Sequence, residues 1–290
     1  MKHAYLIIAH NQFELLKKLI LSLDHKDNDI YLHIDKKATT FDPSTFDGLL
    51  SHSKLIILEN RLDVKWGDYS QIECELQLIK RAVLGEYDYY HLMSGVDMPL
   101  KSQDEIHEFF NQNNGTLFVH FDSEKVSETE LKKVKKYHFI ISKNKNFIKK
   151  LLSKTLMAVQ FFIDRTKKRD FTFQKGANWF SITNDFANYL IGQEEFIKKT
   201  FKHTLCCDEF FLQTVLYNSP FKDKIVKDNF CNNYQNILYC IDWERGSPYV
   251  YTMDDLDMLL SSNMFFARKF DYEKHGDVVD ALFEKINKGE

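Results

Sequence analysis

The first third of the chain alternates short apolar runs with stretches of helical periodicity, and that rhythm leaves few folds open. Residues 4–9 form an apolar run that stops at His10, after which Leu15, Leu16, Leu19, Ile20 and Leu23 recur at helical spacing. A second run, 30–34, ends at Asp35-Lys36-Lys37, and a third spans 55–58. After Trp66-Gly67, a helical stripe carries Ile72, Leu76, Ile79 and Val83. A fourth run, 87–93, leads into Ser94-Gly95-Val96-Asp97-Met98-Pro99. Strands and helices alternating in this way predict βαβ units around a mainly parallel central sheet flanked by helices, an α/β fold. In such sheets ligands bind at the carboxyl ends of the strands. His10, Asp35, Trp66 and Asp97 all fall at or near those ends.

Beyond about residue 115 the pattern changes. Residues 117–121 and 179–183 read as strands, 208–216 as a helix and 270–286 as a closing helical region. Residues 147–163 read as an amphipathic helix with Ile148, Leu151, Leu152, Leu156, Val159 and Ile163 on one stripe. The 290 residues suit one large α/β domain, with a donor-binding half at about 1–115 and an acceptor and catalytic half at about 116–290. No repeat or low-complexity linker divides them. Ten Gly and four Pro are too few for a disordered or loop-rich chain, and the 25 Phe fit a Phe-rich core better than sugar stacking.

Net charge is −3, which gives the molecule as a whole no electrostatic attraction for nucleic acid. Its distribution is uneven: residues 132–175 hold 14 Lys and Arg against two acids, Asp164 and Asp170. The helix at 147–163 lies inside this basic stretch. It is either a surface helix over the core with its lysines in water, or an interfacial helix lying on anionic lipid. The five cysteines are odd in number and lack CxxC or zinc-type spacing, which favours a reducing compartment. No signal-peptide pattern opens the chain, and no run approaches the roughly 18–20 apolar residues of a membrane span. The expectation is a cytoplasmic protein, with any membrane contact peripheral and at the inner face.

Several chemistries are excluded by missing motifs. There is no GxGxxG after the first strand, no GxxxxGK[ST], no GxSxG and no HExxH. What remains is the polar set at the strand ends, the acidic pair Asp208-Glu209, and the basic pair Arg268-Lys269 between Phe266 and Phe270. A transferase that displaces a nucleoside diphosphate needs a base pocket, positive charge on the leaving group and a carboxylate to take the acceptor's proton. Many supply the charge with a dication held by Asp-x-Asp after a core strand. Here the fourth strand runs into Ser94-Gly95-Val96-Asp97, with one acid. Asp27-Asn28-Asp29 and Asp255-Leu256-Asp257 fit the letters but read as surface residues. Fixed cationic side chains are then the more economical source of charge.

The segments AYLIIAH, YLHIDKK, VKWGDYS, YYHLMSGVDMPLKS, GANWFSIT, CDEFFLQT, IDWERGSPY and FARKFD, spanning residues 4–271, stand in the order found in glycosyltransferase family 14. The chain therefore resembles the core-2/I-branching β-1,6-N-acetylglucosaminyltransferases and peptide O-xylosyltransferases. With no stem or anchor, it is more similar to bacterial members than to Golgi enzymes. The resemblance implies a GT-A-type fold, inversion at the anomeric carbon and no metal or other cofactor. It puts Glu209 in the place of the catalytic base and Lys269 on the donor diphosphate. Arg268 occupies a position that is not always basic. Asp35 fits the strand-end acid that meets uracil, and Trp243 fits an aromatic stacked on the acceptor, with Trp179 of GANWF beside it on the acceptor side. A second diphosphate-binding arginine has no match, because Tyr249-Val250-Tyr251-Thr252 stands there. Either Arg268 supplies that charge, or Tyr251 or Thr252 donates hydrogen bonds, or the donor is held differently.

Each of these residues also has a plainer reading. Glu209 could be an acid at a helix start, Arg268-Lys269 a surface pair, Trp66 and Gly67 packing and turn, Asp97 a cap before Pro99, and His10 a structural hydrogen bond. The combined expectation is a UDP-sugar-dependent transferase acting on a carbohydrate hydroxyl. The donor sugar would be GlcNAc, xylose or another hexose, and the acceptor a carbohydrate or lipid-linked glycan of a bacterial surface polysaccharide. The rivals are a non-catalytic glycan- or membrane-binding protein on a degenerate transferase fold, and a metal-dependent GT-A transferase of another family.

Overall fold

The structure, a computed structural model, describes residues 1–141, 147–167, 169–227 and 229–288. Its centre is a six-stranded sheet in the order β3-β2-β1-β4-β7-β6. These strands are β1 (His3–Ala9), β2 (Asn28–Ile34), β3 (Lys54–Ile57), β4 (Tyr89–Ser94), β6 (Phe118–Val119) and β7 (Phe180–Thr183). The first four run parallel to one another, while β7 pairs antiparallel with both β4 and β6. The mainly parallel sheet read from the sequence is therefore present. Strand 117–121 is shorter than expected, and Leu117 instead bridges to Ile225.

β1 lies in the middle and is apolar on both faces, as a strand covered on each side must be. Its residues alternate between two cores. Ala4 and Leu6 join one with α2 (Ser70–Ala82), α6 (Asn184–Gly192), α7 (Glu194–Phe201) and α8 (Phe211–Tyr217). Tyr5 and Ile7 join the other with α1 (Phe13–Ser22), α3 (Gln103–Gln112) and α10 (Tyr272–Lys288). The helix starts follow local chemistry. Ser102 and Glu105 form a reciprocal capping box on α3, and Ser127 caps α4 (Glu128–Lys135).

A second sheet was not anticipated. β5 (Asp97–Pro99), β8 (Tyr239–Ile241) and β9 (Phe266–Arg268) pair in the order β5-β9-β8, with α9 (Leu256–Ser261) leading into β9. Its register sets Asp97 opposite Arg268, which brings the C-terminal basic pair against the end of β4. The parallel register of the main sheet aligns Ala9 with Ile34 and Ile8 with Ser94. His10, Asp35 and the turn after β4 consequently emerge at one end.

Two other expectations are corrected. The segment 208–216 is not one helix: Cys207–Glu209 form a 3-10 turn, and the backbone breaks at Phe210 before α8 begins. Glu209 therefore sits in a tight turn ahead of the helix. The helix at 147–163 is α5 (Phe147–Ala158), and its stripe does not cover the core. Ile148, Leu151, Leu152 and Val159 face solvent, because no element packs over them among the described residues. Lys143, Lys145 and Lys168 of the basic stretch lie outside the described residues. Among the described residues no helix is long and apolar enough to cross a membrane.

Candidate active site

At the carboxyl ends of the parallel strands lies a cleft of about 390 Å³. His10, Asp35, Trp66, Trp179 and Arg268 from the sequence analysis all line it, together with Lys37, Gln71, Glu75, Ser94 and Asn178. A cleft of similar volume, about 390 Å³, sits at the opposite end of the sheet among Lys2, Asp29 and Arg81. None of the residues predicted for function lines it.

The acid at the end of β2 is fixed by the backbone that follows. Asp35 is buried, its Oδ1 accepts from the Lys37 N–H at 2.7 Å, and Lys37 Nζ approaches Oδ2 at 3.4 Å. His10 stays exposed at the cleft mouth. Partial desolvation, with Lys37 and Arg268 nearby, lowers its pKa against the pull of Asp35. Trp66 is 58% exposed, an open apolar surface beside the cleft.

Arg268 enters from β9. Its guanidinium donates to Asp97 Oδ1 at 2.6 Å and lies 4.4 Å from the ring of Trp179, a cation–π contact. Asp97 has no exposed surface, and its Oδ2 accepts from the Ser94 N–H at 2.8 Å and the Tyr239 hydroxyl at 3.2 Å. Burial pushes the Asp97 carboxyl up, and Arg268 pulls the other way. Asp97 lines no part of the cleft: it aims Arg268 and holds the turn. Lys269 follows immediately, its backbone carbonyl accepting from the Tyr251 N–H at 3.1 Å. Among the described residues Lys269 is paired with no carboxylate.

The structure also narrows what replaces the missing arginine. Tyr251 has no exposed surface and its hydroxyl faces Cys240 Sγ at 3.3 Å. The Thr252 hydroxyl donates to Asp255 at 3.2 Å. Arg245 is tied to Asp242 and Asp255 and lies over Tyr249. Of these candidates, Arg268 lines the cleft.

Glu209 lies outside the cleft lining but is joined to it. Gln71, a lining residue, donates to Asp208 Oδ2 at 2.9 Å, and its own Oε1 accepts from the Gly67 N–H. Gly67 adopts φ +69°, a conformation suited to glycine, and its carbonyl accepts from the Cys206 N–H at 2.9 Å. Gly67 thus braces the start of the turn that carries Glu209 and contributes no side chain to binding. On the other side the Gly176 N–H donates to the Glu209 carbonyl at 2.9 Å. A Cβ at Gly176 would lie 1.8 Å from the carbonyl oxygen of His120, so no other residue fits there.

Two ammonium groups flank the Glu209 carboxylate, Lys133 at 3.3 Å and Lys175 at 3.6 Å. Lys175 also pairs with Asp122 at 2.6 Å, and Lys133 with Glu130 at 2.7 Å. Burial opposes the charge on Lys175, but its carboxylate neighbours raise its pKa. With 35% of its side chain exposed, Glu209 remains reachable by an incoming hydroxyl. Tyr234 links it to Trp243: the phenol feels the Glu209 charge, and its ring lies 6.1 Å from that of the half-exposed Trp243. Trp179 is on the other side, at the cleft and Arg268.

Three site residues escaped the sequence reading. Lys133 and Lys175 were counted only as part of a basic stretch. Glu75 was passed over, although an acid on the stripe of Ile72, Leu76 and Ile79 is itself a signal. Asp208 is set apart from its neighbour Glu209, because burial and the Glu209 charge push its carboxyl up to about 7. Among the described residues no three His, Cys, Asp or Glu side chains gather as a metal-ligand set.

The family model described as "Branch: Core-2/I-Branching enzyme" matches residues 3–262, so Arg268 and Lys269 lie just beyond the match. Xylosyltransferase 2 of Rattus norvegicus is 24% identical over 302 residues, covering 96% of this chain and 33% of its own length. Xylosyltransferase 1 of Homo sapiens is 22% identical over 302 residues, covering 96% of this chain and 30% of its own. The chain thus spans about a third of the curated relatives it matches. A crystal structure of mouse xyloside xylosyltransferase 1 in its apo form aligns with a TM-score of 0.37 and 9% identity, covering 92% of this chain and 97% of the other.

Proposed function

The chain belongs to the Core-2/I-branching enzyme family, and from that premise we propose that it is an inverting, metal-independent glycosyltransferase using a UDP-sugar. The observation that carries the reading is the pairing of a reachable carboxylate, Glu209, with a cleft lined by Arg268, the residue that precedes Lys269. An acceptor hydroxyl attacks the anomeric carbon from the face opposite UDP, and its proton passes to Glu209. The bond to the diphosphate breaks, and the charge that develops on UDP falls to Lys269 with Arg268. Fixed cations at such a position commonly contribute several kcal/mol in a water-poor site. Asp35 and His10 would bound the nucleoside end, and Trp243 with Tyr234 would offer an aromatic wall to the acceptor. GlcNAc, as in the family's branching enzymes, and xylose, as in the named relatives, are the first donors to try. The test is donor turnover, read as UDP release, for wild type and Glu209→Gln in excess EDTA. The wild type should stay active. The variant should fall by about 10²–10⁴-fold with UDP affinity kept, as general-base catalysis typically contributes. Loss of wild-type activity on chelation, or a fully active variant, would refute the scheme.

A second observation bears on where the acceptor comes from. Phe147 (79% exposed), Phe161 (79%) and Phe162 (95%) stand in solvent with Ile148 and Val159. Exposed Lys154, Lys167 and Arg169 lie in the same stretch. An apolar face framed by cations suits an anionic lipid surface. We assign this face to peripheral contact with the inner side of a cell membrane, where a lipid-carried glycan of a surface polysaccharide would be presented to Glu209.

A further inference from the structure

Helix α2 places Glu75 on its core-facing stripe, between Ile72 and Ile79, where a carboxylate is costly. The side chain has no exposed surface, yet it forms part of the cleft wall beside Ser94, Asn178 and Arg268. Asn178 is the side chain that approaches Glu75 as a hydrogen-bond partner, yet no donor meets either carboxyl oxygen, Asn178 Oδ1 or Asp208 Oδ1 at full hydrogen-bond geometry among the described residues. Asn178 and Asp208 are the groups whose charges and dipoles act on Glu75. In folded proteins the large majority of buried polar groups are partnered. Here Glu75 and Asn178 in the cleft wall, with Asp208 behind them, each keep a buried oxygen short of a full hydrogen bond, and an apolar residue at position 75 would pack there at less cost.

The location says what such a wall is for. Gln71 and Asp208 connect it to the turn that carries Glu209, and Arg268 lines the same cleft. The wall thus adjoins both the turn of Glu209 and the guanidinium of Arg268. Resting on the nucleotide-sugar reading of the cleft, we infer that Glu75, with Asn178, forms the subsite that reads the hydroxyls of the donor's sugar ring. A carboxyl in its neutral form offers an O–H to donate and a carbonyl to accept, which matches a sugar hydroxyl. Burial, with the Asp208 charge added, pushes Glu75 well above the usual range, toward that form. The class of ring is neutral. A uronic acid would bring a second carboxylate against Glu75 and Asp208.

The test separates the sugar's contribution from that of the nucleotide. Dissociation constants for UDP, UDP-xylose, UDP-GlcNAc, UDP-glucose, UDP-galactose and UDP-glucuronate are measured by calorimetry for wild type, Glu75→Gln and Glu75→Leu. In Glu75→Leu the affinity of the preferred neutral UDP-sugar relative to UDP should fall about tenfold, with UDP itself unchanged within about twofold. Glu75→Gln, which still donates and accepts, should keep most of that ratio. The free Glu75→Leu protein should also melt higher than wild type, because an unpartnered buried carboxyl is gone. Should leucine not fit, Glu75→Ala carries the same measurement. An unaltered ratio with normal UDP binding overturns this subsite alone. Failure of the wild type to bind UDP overturns the nucleotide-sugar reading and the subsite with it.

Discussion

Asp97→Asn isolates the ion pair on which the placement of Arg268 rests. Asp97 has no exposed surface, and Arg268 retains 18% of its side chain in solvent, so solvent screens the pair little. The substitution preserves shape. The amide oxygen can still accept from Ser94 N–H and Tyr239 O–H, which both bond the same carboxylate oxygen. The loss is confined to the 2.6 Å bond from Arg268, where an NH₂ group would now face a guanidinium. Removing one partner of a buried pair costs about 3–5 kcal/mol. At about 2 °C per kcal/mol for a chain of this size, the melting temperature should drop by ~6–10 °C. Thermal unfolding followed by circular dichroism reads this directly. Arg268→Leu combined with Asp97→Asn should recover part of the loss, because no charge is then left unpaired, and the two changes should be non-additive. A drop under about 2 °C, or strict additivity, would show that Asp97 does not hold Arg268.

Three further outcomes follow from the geometry. Lys269→Ala should depress turnover more than UDP affinity, because the charge it meets grows as the bond to UDP breaks, and equal losses in steady-state kinetics would argue against that role. Asp208 binds a proton in the folded state up to about pH 7 that the unfolded chain releases near its ordinary value of 3.8. Stability from this group therefore falls as pH rises from about 4 to 7, and Asp208→Asn should melt higher relative to wild type at pH 8 than at pH 5; a difference independent of pH would refute the assignment. Phe161→Ser with Phe162→Ser should lower binding to phosphatidylglycerol vesicles at least about tenfold in co-sedimentation, since burying a Phe is worth about 1.5–3 kcal/mol. Donor turnover in free solution should not change, and unaltered vesicle binding would remove this face from the membrane reading.

The parts of the fold that were legible in the sequence are those set by local pattern. β1, β2 and β4 are covered on both faces and so read as unbroken apolar runs, and their common ends fixed the neighbourhood of His10 and Asp35. The small sheet was not legible, because three-residue strands carry no periodicity. Asp97 and Arg268 meet across 171 residues through pairing alone. Periodicity in α5 identified its apolar stripe but could not say what the stripe faces, and it faces solvent. The pair Asp208-Glu209 read as one acidic step. Successive positions of the 3-10 turn Cys207–Glu209 point the two in different directions, one toward Gln71 and the other toward Lys133 and Lys175. Glu75 announced itself as an acid on an apolar stripe, but a helix face alone does not reveal a cleft wall.

The charges of the site differ in how freely they can act, and that difference bears on mechanism. Arg268 is already neutralised by Asp97, and Glu209 is flanked by two ammonium groups that are themselves shared with Asp122 and Glu130. Such partners orient a side chain and reduce the reorganisation needed at the moment of reaction, but they also spend part of its charge. Lys269 has no carboxylate partner among the described residues, so in the proposed scheme its full charge would be available to a diphosphate. The division of labour follows. In the proposed scheme Arg268, stacked on Trp179, would fix the shape of the cleft end and contribute hydrogen-bond direction, whereas Lys269 would supply the unspent charge. A lysine suits that task, since a compact ammonium on a flexible stem can follow a phosphate whose position shifts as the bond lengthens. Glu209 presents the converse case. In the proposed scheme its lysines would hold the carboxylate in place while the acceptor's proton arrives, and the resulting neutral acid would leave both lysines still paired with Asp122 and Glu130, so proton transfer would strand no isolated cation.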